Sequence, residues 1–154
     1  MKTKGIRIPY KLGPTTWIKL PDILKEIRNG DSFKWSILNL EGMGKMEGMS
    51  IQTLEKEIDD SPNGLLLNWV ALNELMTKLP QIIDMVLIGS KAELDLKRYA
   101  SDQEMYEACD IVIVMFDSSY WEVFSKEESL IQRFASKFKG IKFLESDFQK
   151  EYEE

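Results

Sequence analysis

Histidine is missing from all 154 residues. Its absence removes the commonest general base near neutral pH, the Ser-His and Cys-His nucleophile pairs, and the usual zinc ligand. Cysteine occurs once, at Cys109, so there is neither a disulfide framework nor a cysteine metal site. No apolar run approaches the ~20 residues that span a bilayer. Met1–Arg7 is charged, but no apolar core follows it as in a secretory signal. These absences predict a cytoplasmic chain with no metal, no cofactor and no membrane segment.

Charge is present but lopsided. The balance is −6, yet residues 1–34 hold eight Lys/Arg against three Asp/Glu, and residues 35–154 hold the acidic excess. A mainly acidic exterior repels nucleic acid and favours basic partners. It also serves plain solubility.

The chain is organised around residues 110–143. Ile111 to Phe116 are consecutive apolar residues, mostly β-branched, which predicts a strand buried on both faces. Asp117-Ser118-Ser119 has turn composition, and Tyr120 to Phe124 then return as an antiparallel strand. Ser125 and Glu128 have capping-box spacing. Leu130, Ile131, Phe134 and Phe138 recur at helical period, and Gly140 ends the helix before a short strand at 141–144.

The rest adds further strands and helices. Ile6 and Ile8 predict a short edge strand. Pro21 suits the first turn of a helix that Asn29-Gly30 closes. Residues 33–41 alternate as a strand, and Ser50 caps a helix with Ile51, Leu54 and Ile58 inward. Leu65 to Trp69 are ambiguous between strand and helix. Val70 to Leu79 read as a helix stopping before Pro80, and Ile82 to Ile88 as a strand. Asp102 caps a short helix leading into the central strand. Residues 146–154 form an acidic tail. A single α+β domain over 1–154 follows, with one mixed or mostly antiparallel sheet and helices packed on its faces.

Three groups of residues are candidates for function. The Gly42–Gly48 loop reads G-x-G-K-x-x-G, which fits neither the Walker nor the dinucleotide spacing, so a surface loop is the better reading. A small enzyme or ligand-binding protein acting on a phosphorylated molecule at that loop is the alternative function. Met43 and Met46 within it, and Met49 just after it, suit either a plastic contact surface or core cover. Asp110 and Asp117 lie at opposite ends of one strand, roughly 20 Å apart at ~3.3 Å per residue, and cannot share a metal. Pro21-Asp22 and Asp95-Leu96-Lys97 imitate a nuclease pattern but lack its strand context. The third group is Asp117, Tyr120, Trp121 and Glu122, with Asp59 and Asp60 on a separate helix. Here aromatic anchors and carboxylates suit a Lys/Arg-rich partner. Against this, Tyr120 and Trp121 also suit packing under the following helix, as Trp17, Trp35 and Trp69 suit the core.

The whole-chain character and the segment Phe116-Asp117-Ser118-Ser119-Tyr120-Trp121-Glu122-Val123-Phe124 resemble the immunity proteins of bacterial contact-dependent and polymorphic toxin systems. The resemblance implies a small cytoplasmic α+β protein without catalytic residues. Such a protein binds and neutralises a cognate, often basic and nuclease-type, toxin domain. It assigns no individual binding residue. A self-associating subunit is a third possibility, open because the sequence does not set the oligomeric state.

Overall fold

A computed structural model describes residues 4–145. In chain order the elements are β1 (Lys4–Pro9), α1 (Leu20–Leu24), β2 (Lys34–Met43), α2 (Ile51–Asp60), β3 (Leu65–Leu67) and α3 (Trp69–Lys78). They continue with β4 (Gln81–Ser90), α4 (Asp102–Ala108), β5 (Ile111–Phe116), β6 (Tyr120–Ser125), α5 (Glu128–Lys137) and β7 (Lys142–Glu145). Short 3-10 turns occupy Gly30–Ser32 and Glu93–Asp95. The expected acidic tail at 146–154 lies outside the described residues.

The strands make one antiparallel sheet in the order β3-β2-β4-β5-β6-β1-β7. The architecture is α+β. β5 stands in the middle, and its run from Ile111 to Met115 is buried on both faces, as a continuous apolar strand requires. β1 is not an edge strand. It sits between β6 and β7, because α5 carries the chain over β1 to place β7 outside it. Pro9, with no N–H to give, is tolerated because it ends the strand.

The two faces are covered unequally. α1, α2, α3 and α5 pack on one face over Ile6, Trp35, Ile37, Leu87, Ile113 and Val123. On the other face α4 covers only part of the sheet, through Tyr106 stacked on Phe124 with ring centroids 4.0 Å apart, beside Val112 and Ile88. None of the described helices is long and apolar enough to cross a membrane.

Several local expectations are corrected. The capping box at Ser125 does not form. Ser125 stays in β6, its Oγ accepts the Glu127 N–H, and α5 starts at Glu128. α1 is a five-residue helix, with only looser turns from Lys25 to Ile27. Ser101, not Asp102, caps α4. Leu65 to Leu67 resolve as a strand, and Asn68 then caps α3 by accepting the Ala71 N–H. Trp35 and Trp69 stack in or against the core, whereas Trp17 is 42% exposed beneath the Lys11 ammonium.

Candidate acidic site at the sheet end

β2 ends and β4 begins at the same end of the sheet, where Met43 pairs with Gln81. That end is where the β5–β6 hairpin turns. Phe116 to Ser119 close that turn with the Ser119 N–H donating to Phe116 O at 2.8 Å. Asp117 and Ser118 both take positive φ, 46° and 54°, in the three-residue loop between the paired Phe116 and Tyr120. Neither is glycine, so neighbouring groups must hold the conformation. The Asp117 N–H donates to Asp84 Oδ1 at 2.9 Å, and the Ser118 N–H donates to Ile83 O at 2.9 Å. Ser118 Oγ donates to Ile82 O and receives the Gln81 amide, both at 3.2 Å.

Glu41 pairs directly with Asp84 across β2 and β4, in register because a bulge at Leu38 has shifted the ladder by one residue. Their side chains are therefore cross-strand neighbours on one face. The approach of the Asp84 carboxyl holds the Glu41 carboxyl above its ordinary range, and partial desolvation and the charges of Asp84, Glu55 and Asp117 add to the effect. Glu41, Asp84 and Asp117 thus gather at one end of the sheet, and among the described residues none of the three forms an ion pair. No group of His, Cys, Asp and Glu among the described residues has metal-holding geometry.

Beside this trio the uncovered face carries an aromatic row. Phe116 and Tyr120 lie with centroids 5.3 Å apart, and the Arg7 guanidinium stands 4.3 Å over the Tyr120 ring. Arg7 also bonds Glu122, with Nε donating to Oε2 at 2.8 Å and Nη2 at 2.7 Å from the same oxygen.

The predicted binding residues therefore separate. Asp117 and half-buried Tyr120 are at the sheet end and reachable. Trp121 is 1% exposed on the opposite face, and its Nε1–H donates to Ile18 O at 2.8 Å. Glu122 is 3% exposed and engaged by Arg7. The strand alternates its side chains, so the consecutive Tyr120, Trp121 and Glu122 cannot all share one surface. Asp59 and Asp60 sit far off at the C-terminal end of α2. There Arg98 ties Ile58 O and Ser61 O to Leu38 O on the flank of β2, and Asp60 pairs with Lys56 at 2.7 Å. In the Gly42–Gly48 segment, Gly42 and Met43 belong to β2, Lys45 is exposed, and Met46 alone of the three methionines packs against the core. Sequence reasoning missed Glu41 and Asp84 as a pair. Only the bulge brings them opposite, and a single unpaired residue leaves no trace in composition.

On the helical side of the same sheet end lies an open cleft of about 340 Å³. It opens between the start of α1, the end of α3 and the first residues of β4, and Trp121 is among the residues lining it.

The chain matches no family model, no curated protein and no solved structure.

Proposed function

We propose that the protein is a non-enzymatic binding module that docks its acidic sheet end on a basic protein. Within that class, an immunity protein neutralising a basic, nuclease-type toxin domain in the cytoplasm fits best. The observation that carries the reading is the Glu41–Asp84–Asp117 trio, three carboxyl groups gathered with no cation paired to them. A partner's Lys or Arg would offset the mutual repulsion of these carboxylates. Magnitudes divide the labour. Rim ion pairs are worth ~0.2–1 kcal/mol each, so the charges steer and select rather than supply most of the affinity. The adjoining Phe116 and Tyr120 rings offer the apolar contact that anchors such interfaces.

The test is a quantitative affinity capture from the native host with two baits, the wild type and Glu41→Gln/Asp84→Asn/Asp117→Asn. The reading expects a basic protein enriched on the wild type alone. The captured partner's enzymatic activity should then be inhibited by the wild type and restored by the triple variant. Equal capture by both baits, or a captured enzyme that stays active, would overturn it.

A further inference from the structure

We propose that the cleft on the helical side of the sheet end binds a small organic anion, a carboxylate carried on a compact apolar body. Leu20, Pro21, Met76, Leu79, Pro80, Ile82 and Trp121 give it an apolar body, and Thr77 and Gln81 add polar edges. Trp121 offers no free donor, because its Nε1–H is already given to Ile18 O. Two polar groups on the rim remain uncommitted among the described residues. The Lys19 ammonium has no ion pair and the Tyr10 hydroxyl no hydrogen bond. The nearest acid along the chain does not neutralise Lys19. Asp22 Oδ2 accepts the Lys19 backbone N–H at 2.8 Å, and its Oδ1 lies 3.9 Å from Lys25 Nζ.

No Asp or Glu lines the cleft, so nothing there receives a cation. One ammonium and one phenol match a monoanion that accepts two hydrogen bonds, and the apolar side chains receive its body. Of the eight Lys/Arg in residues 1–34, Lys19 is the one that lines the cleft. None of the trio lines this cleft, and the proposal stands whether or not the trio meets a basic partner.

Amide and indole NMR shifts during titration with 1-naphthoate test it, with 1-naphthylmethylammonium as the charge-reversed control. The expected result is saturable shifts at Tyr10, Lys19, Gln81 and the Trp121 indole. Lys19→Gln, at an exposed position, should weaken binding about tenfold. Thr77→Trp, filling the cleft from its exposed rim, should abolish it. Several results would overturn the proposal: equal binding of the ammonium compound, unchanged affinity in Lys19→Gln, shifts centred elsewhere, or no shifts up to about 10 mM.

Discussion

Asp117 carries a conflict that a single substitution exposes. Its backbone is left-handed and its carboxylate adds to the charge around Glu41. Asn tolerates left-handed φ as well as Asp does and removes the like charge. Asp117→Asn should therefore stabilise the fold by up to about 0.5 kcal/mol, read as a raised urea midpoint, while weakening capture of a basic partner. A residue selected for stability alone would not show that opposition. Cys109 makes the reverse case. Its thiol is buried, its Sγ–H lies 3.8 Å from both Asp95 O and the Tyr99 hydroxyl, and burial pushes its pKa up to about 11. The folded state then keeps a proton that the unfolded chain loses from about pH 9, so this contribution is intact below pH 9 and lost as pH rises to about 11. Burial also raises the Tyr99 and Tyr106 phenols and pulls in the same direction. Thermal melts should show falling stability across that window, steeper than in Cys109→Ala, and a thiol reagent should label Cys109 only on unfolding. The lone cysteine was legible as neither disulfide nor metal ligand. That Trp121 points inward and Tyr120 outward was not legible, because that depends on the register against β1.

Elements with repeated signals were readable and those set by one contact were not. The β5 run, the β5–β6 hairpin, the apolar stripe of α5 and the Ser50 cap of α2 stand where periodicity and capping place them. The failures are local. A cap at Ser125 lost to β-pairing with Lys4 and Ile111, which keeps that serine in the strand. β1 reads as an edge because nothing in its own six residues reveals that β7 will join it. The α2–β3 turn offers an element-scale test. Gly64 has φ +79°, and a Cβ there would run into Ser36 Oγ and Ile37 O. Gly64→Ala should cost about 2–3 kcal/mol from left-handed strain plus the clash. The loss should appear in equilibrium unfolding, with β3 amides the first to lose exchange protection.

Across the whole molecule the sheet separates two surfaces of opposite character. One face is closed by four helices, and the other is covered by α4 and by Leu96 and Tyr99, leaving the Arg7–Tyr120 side less covered. The Arg7–Glu122 pair bridges β1 and β6 on that less covered side. Removing one partner of a buried pair costs 3–5 kcal/mol, but the Arg7 side chain is 31% exposed, so Arg7→Met should cost about 2 kcal/mol. Pairing it with Glu122→Gln should recover part of the loss in a double-mutant cycle. Fold class was legible because composition and alternation act over the whole chain. The charge split was visible too, but its arrangement, with acids on one side of the sheet end and Lys19 on the other, arises only when β4 meets both α1 and the hairpin. The central claim is that a positive partner settles on that acidic end and not on the acidic end of α2. An NMR titration with decalysine at low salt tests this most directly. Shifts converging on Glu41, Asp84 and Asp117, with the Glu41 carboxyl titrating at lower pH once the peptide is bound, are the predicted result. Shifts centred on Asp59 and Asp60, or spread evenly over every exposed carboxylate with Glu41 unmoved, would contradict it.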